Sequence, residues 1–160
     1  MAIAAEKYLA EAEQAAVTYG DGLTNANLAD EYRYHLEHGK VGTVLGVHPP
    51  SRFGELCLDG QRVTRFDEKP EFKEKWINGG FFFFKRQFFF DYLEKHQDCV
   101  LEKAPLARLA MDGELMICKH SGFWACMDTP RDRTYLNNLW NSREAPWMIP
   151  VSAVQHVQAH

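Results

Sequence analysis

The sequence predicts an α/β fold, a mixed β-sheet flanked by helices. Three observations carry this. Helical and extended patterns alternate along the chain. A hairpin signal at Asp59-Gly60 argues against a purely parallel sheet. The 160 residues include 11 Phe, 6 Tyr and 4 Trp, enough aromatic mass for a core rather than a disordered chain.

Each element has its own local reason. Residues 2–13 are rich in Ala and Glu and read as a helix. Residues 15–18 form a short apolar run stopped by Gly20-Asp21-Gly22, which predicts a strand and a turn. Leu28, Tyr32, His35 and Leu36 recur at helical spacing, with Asn27 as N-cap and Gly39 as C-terminal stop. The β-branched stretch 41–47 reads as a strand, broken by Pro49-Pro50. Residues 55–58 and 61–66 flank Asp59-Gly60 as a hairpin. Residues 76–84 read as a buried strand whose Gly79 and Gly80 point to a bulge or a close approach. A helix over 87–95 turns Phe88, Phe89, Tyr92 and Leu93 inward. Pro105 opens the next helix, with Leu106, Leu109 and Ala110 inward and Gly113 at its end. Residues 115–119 and 123–127 read as strands. Thr129 caps a last helix, with Pro130 first and Tyr135, Leu136, Leu139 and Trp140 on one face. Residues 1–147 thus read as one α/β domain and 148–160 as a tail.

Composition narrows the function. Eighteen basic residues against 22 acidic leave a net charge of −4, which argues against a nucleic-acid partner. No stretch approaches the ~18 apolar residues of a membrane span. The opening MAIAAEKYLA lacks the pattern of an export signal, and Cys57, Cys99, Cys118 and Cys126 form no CxxC pair. A cytoplasmic protein with reduced thiols is expected. His156 and His160 have the spacing to meet a metal on a helix; a ragged tail is the plainer reading.

Four segments carry candidate chemistry. Asp21, between glycines after a strand, lies where α/β folds bind ligands, or is a plain Asp-Gly turn. Glu68-Lys69-Pro70 follows another strand: Glu suits sugar hydroxyls and Lys a phosphate, the alternative being a solvated charge pair. Asn78 beside Gly79 suits a polar ligand lying on the backbone, or a β-bulge with its amide satisfied internally. Asp128 ends an apolar strand before a helix, placed to hold a divalent cation with Asp21, or only to cap that helix. GxSxG, HExxH, Walker and GxGxxG motifs are all missing from the sequence.

In order, TYGDG (18–22), HGK (38–40), PPSRFG (49–54), RFDEKP (65–70), WINGGFF (76–82), APLARLAMDGEL (104–115), HSGFWACMDTPRD (120–132) and LW…APW (139–147) resemble the glucose-1-phosphate cytidylyltransferases. These nucleotidyltransferases join CTP to α-D-glucose 1-phosphate, giving CDP-glucose and pyrophosphate. The resemblance implies a nucleotide-diphospho-sugar transferase fold, Rossmann-like and truncated. It implies that Asp21 and Asp128 hold Mg²⁺ and that Lys69 touches the sugar phosphate, these three forming the catalytic set. Glu68 and Asn78, with backbone at Gly54 and Gly79, would grip the glucose, and Gly20 would lie against the ligand. The family's Gly-Gly-Leu-Gly-Thr-Arg loop and Lys-Pro-Lys-Pro segment have no counterpart, and Ala125-Cys126 stands where Gln-Pro is usual. The expectation is therefore a chain that does not turn over alone and instead binds glucose 1-phosphate or CDP-glucose, or an oligomerising remnant. No membrane partner is expected, and a homodimer or larger assembly would cover the sheet edge left open.

Overall fold

The computed structural model describes residues 9, 12–48, 55–67, 75–93 and 99–148. They form β1 (Gln14–Thr18), β2 (Gly22–Thr24), α1 (Leu28–His38), β3 (Gly42–Val47), β4 (Glu55–Asp59), β5 (Arg62–Asp67), β6 (Ile77–Lys85), α2 (Gln87–Asp91), α3 (Ala104–Met111), β7 (Leu115–His120), β8 (Trp124–Cys126) and α4 (Pro130–Asn141). The chain divides into two compact units, Met1–Tyr19 with Asn27–Ser121, and Gly20–Ala26 with Gly122–His160.

The first unit holds a four-stranded sheet in the order β1-β6-β3-β7. β6 runs antiparallel to both β1 and β3, while β3 and β7 are parallel, so the sheet is mixed as expected. β6 supplies the antiparallel character. The hairpin β4–β5 does not: it is a separate two-stranded sheet. Its loop is displaced by one residue from the expected Asp59-Gly60. Asp59 pairs with Arg62, leaving Gly60 and Gln61 as the loop, with Gly60 at φ +57° in its first position.

β6 alternates its aromatics between two faces, as strand geometry requires. Phe82 and Phe84 join Phe88, Phe89, Tyr92, Leu101 and Leu109 in the core. Phe84 and Phe88 stack with ring centroids 3.9 Å apart. Phe83 faces the other way, against Tyr32 of α1 at 5.1 Å.

Several local signals hold. Asn27 caps α1 by accepting from the Ala29 N–H, and Gly39 ends it at φ +67°. Thr129 caps α4 in a reciprocal box with Asp132, and Pro130 opens the first turn. Gly113 follows α3 at φ +70°.

Other expectations need correction. The helix over 2–13 lies mostly outside the described residues; Ala12 and Glu13 are not helical, and β1 starts at Gln14, paired with Lys85. The regular part of α2 ends at Asp91, short of residue 95. Strand β8 is confined to the three residues opposite β2. In α1, Leu28, Tyr32 and Leu36 of the expected stripe are exposed; His35 of that stripe is buried, together with Glu31. Hydrogen bonds of the Thr43 hydroxyl with His35 and His38 turn that helix so that its polar stripe faces the sheet. In α3, Ala110 is exposed while Pro105 and Leu109 are buried. In α4, Tyr135 and Trp140 are exposed, leaving Leu136 as the buried anchor. A short helix against a small unit buries a stripe narrower than its apolar pattern.

The second unit pairs β2 with β8 and carries α4. The carbonyl of Phe123 accepts from the Thr24 hydroxyl and the Asn25 N–H, and the Phe123 ring packs on Trp147 at 5.5 Å.

Candidate functional site

The candidate residues fall into two groups, each within one unit. In the second unit, Gly22 pairs with Cys126, and the ladder continues one step further: the Met127 N–H donates to the Asp21 carbonyl at 2.9 Å. Asp21 and Asp128 therefore stand at one open end of two adjacent strands. Both are exposed. The Cys126 thiol donates to Asp128 Oδ2 at 3.1 Å. The helix cap is Thr129, whose own N–H and hydroxyl are bonded to Asp132. Asp128 is thus not the cap, which removes that alternative for it. Gly20, next to Asp21, has no left-handed φ, and a Cβ added there would meet no atom of the described residues within 4 Å.

The donor set fits a magnesium ion. Among the described residues no group of three or more His, Cys, Asp or Glu converges on a metal position. Mg²⁺ commonly uses only one or two carboxylates and completes its shell with phosphate and water. Two exposed carboxylates on neighbouring strand ends match that need.

In the first unit, Asn78 is the second residue of β6 and is exposed, while Gly79 and Gly80 are buried. The Asn78 carboxamide donates through Nδ2 to the Tyr19 hydroxyl at 3.0 Å and accepts the Gly80 N–H at 2.8 Å. Gly80 has φ +80°, and the β3–β6 register shifts between Val44 and Gly46, so the expected bulge is present. A Cβ on Gly79 would come within 2.8 Å of the Leu45 carbonyl oxygen. The close approach inferred from sequence is, at this position, that of strand β3. Gly54, Glu68 and Lys69 lie outside the described residues.

The profile of the nucleotidyl transferase family matches residues 1–129. The chain belongs to this family. It is 39% identical over 141 residues to a glucose-1-phosphate cytidylyltransferase of Salmonella typhi, covering 88% of this chain and 54% of that protein. It is 29% identical over 137 residues to mannose-1-phosphate guanyltransferase beta-B of Xenopus laevis, covering 82% and 38%. Among solved structures, HddC from Yersinia pseudotuberculosis superposes with a TM-score of 0.61 at 20% identity, covering 87% of this chain and 60% of that one. A Bacillus anthracis protein assigned as a glucose-1-phosphate thymidylyltransferase gives 0.60 at 16% identity, covering 92% and 60%. These likenesses support the Rossmann-like nucleotide-sugar transferase fold. The chain spans about half the length of the cytidylyltransferase it matches. No helix among the described residues is long and apolar enough to cross a membrane.

Sequence reading of this nucleotidyl transferase missed two features. Tyr19 was visible only as a neighbour of Asp21. The polar stripe of α1, of which only His35 is in the expected stripe, has a signal of its own: Glu31, His35 and His38 share one helical face at i, i+4 and i+7. The donors determine its wiring. The Lys40 N–H donates to His38 Nδ1 at 2.9 Å, so the His38 proton is on Nε2 and donates to Thr43 Oγ1 at 2.7 Å. The Thr43 hydroxyl then donates to His35 Nδ1 at 2.7 Å, and His35 Nε2–H donates to Gln14 Oε1 at 2.9 Å. The chain closes only with both imidazoles neutral. Burial, then repulsion from His38 and Lys85, lowers the His35 pKa to about 4, and burial lowers that of His38. Glu31 is buried with neither carboxyl oxygen paired, and burial raises its pKa to about 8.

Proposed function

We propose that this chain supplies the sugar-phosphate and metal-binding portion of a glucose-1-phosphate cytidylyltransferase. It binds glucose 1-phosphate or CDP-glucose in the cytoplasm and does not catalyse transfer by itself. The observation that carries the reading is the strand register that brings Asp21 and Asp128 to one end of the β2–β8 ladder, both exposed and Asp128 not consumed by capping. These two carboxylates would hold Mg²⁺, which when bound neutralises phosphate charge as one oxygen attacks the α-phosphorus of CTP. Such a transfer needs positioning and charge neutralisation rather than a protein nucleophile. By the same resemblance Lys69 meets the sugar phosphate, Glu68, Asn78 and the backbone at Gly54 and Gly79 orient the glucose, and Gly20 leaves room for the ligand. Turnover would further require a triphosphate cradle of backbone amides, the device that Gly-rich loops provide.

Calorimetric titration of the chain with CDP-glucose and Mg²⁺ tests this, with Asp128→Ala as control. Heat that disappears in the variant or on chelation of Mg²⁺ is expected. Equal heat in both proteins, or none in the wild type, would sink the reading.

The same proposal includes self-assembly into a homodimer or larger oligomer. β1 lies at an edge of its sheet, and in the second unit Tyr135 and Trp140 expose half their surface. Light scattering at micromolar concentration should give at least twice the 18.4 kDa chain mass; a clean monomer contradicts it.

A further inference from the structure

This inference rests on the reading above, in which Asn78 touches the sugar. We propose that Tyr19 is the positioning residue for that contact: its hydroxyl and the Gly80 N–H together lock the Asn78 carboxamide, so that a sugar hydroxyl meets a pre-set donor and acceptor.

The two bonds grip opposite ends of one planar group. Nδ2 donates to Tyr19 at 3.0 Å, and Oδ1 accepts from Gly80 at 2.8 Å. A flip of the carboxamide would place a donor against the Gly80 N–H, so only one orientation is compatible. The bulge alone explains only one of them, because the Gly80 N–H needs an acceptor and Oδ1 suffices. The Tyr19 bond adds orientation. A carboxamide has two N–H donors and two carbonyl lone pairs. One of each is used here, and on an exposed side chain the others remain to meet a ligand.

Tyr19 is itself held on three sides. Its N–H donates to the Gly80 carbonyl at 2.9 Å. Its ring lies over Gly80, where a Cβ would come within 2.7 Å of Cδ2. Phe82 packs beside it at 5.7 Å. Ring, bulge and amide therefore interlock within one unit. An exposed Asn normally gives up rotamer freedom on binding a ligand; here folding has already imposed that loss.

Tyr19→Phe removes one oxygen and keeps the ring. In titrations of the full chain with CDP-glucose and Mg²⁺, Tyr19→Phe should weaken affinity about three- to tenfold. Asn78→Ala should weaken it at least as much. The double variant should bind no worse than Asn78→Ala, because Tyr19 acts through Asn78. Without ligand, the Asn78 side-chain amide NMR signals should move in Tyr19→Phe while the melting temperature stays within about 4 °C. Wild-type affinity in Tyr19→Phe, unmoved Asn78 signals, or losses that simply add would overturn the positioning role while the sugar contact stands. Wild-type affinity in Asn78→Ala, or no heat from the wild type, overturns the sugar contact itself and this proposal with it.

Discussion

The two faces of the four-stranded sheet are built from the same strands and held by different physics. On one face Phe82, Phe84 and Phe88 stack and Phe89 meets them edge-on, in an aromatic core with Leu109. On the other, α1 bonds His35 and His38 to the hydroxyl of Thr43 in the sheet and buries Glu31 beside them on the same helical face. Neighbouring residues separate the two, Phe83 from Phe82 and Phe84, Thr43 from Gly42 and Val44. Apolar burial on the first face has no proton to gain or lose. The second face holds groups that do: His35 and His38 are bonded there as neutral imidazoles, and Glu31 is buried with its carboxyl oxygens unpaired. The difference teaches that a buried helix face can be specified by hydrogen bonds as well as by apolar contact, at the cost of sensitivity to pH.

Three substitutions probe that difference. The largest effect belongs to the aromatic face: Phe84→Ala, at a fully buried ring, should destabilise by about 3–5 kcal/mol with no marked pH dependence. Chemical denaturation at several pH values reads both. A loss below about 1 kcal/mol would mean that this face is not the principal core.

Thr43→Val keeps the shape and removes the hydroxyl that bridges His35 and His38. It should cost about 1–3 kcal/mol, because two buried imidazole nitrogens lose their partner. Denaturation at neutral pH reads this. An unchanged midpoint would show that the network contributes nothing.

Glu31→Gln tests the pH dependence, and its sign follows from linkage. The folded pKa of about 8 lies above the ordinary 4.5, so folding favours the neutral acid. The stability is fully present below 4.5 and is lost as pH rises toward 8. His35 acts oppositely: its folded pKa of about 4 lies below 6.5, so stability is lost as pH falls from 6.5 toward 4. Between 6.5 and 8 only Glu31 remains in play of the two. There Glu31→Gln should remove a slope of up to about 1.4 kcal/mol per pH unit. Stability curves that stay parallel for wild type and variant across that window would refute it.

The candidate sites divide in the same way between what a local pattern can announce and what it cannot. Asp21 and Asp128 were legible because strand-terminal carboxylates beside Gly and before Thr-Pro are local patterns. That both stand at one end of the same ladder was not, since it depends on β2 pairing with β8 across about a hundred residues. Asn78 was legible as an odd amide in an aromatic strand; its partner Tyr19, 59 residues away, was not.

The sequence by itself determined the α/β class, the caps at Asn27 and Thr129, and the glycine stops at Gly39 and Gly113, and left Gly79-Gly80 open between a bulge and a close approach. Each depends on dihedral preference or on hydrogen bonds within a few residues, and such terms are written locally. Tertiary structure decided which strands share a sheet, how α1 is rotated, and what approaches Gly79. Those outcomes depend on pairings between distant segments. The Leu28, Tyr32 and Leu36 stripe lost the buried position because Thr43 offers the two histidines a bonded place at the sheet that the apolar residues cannot use.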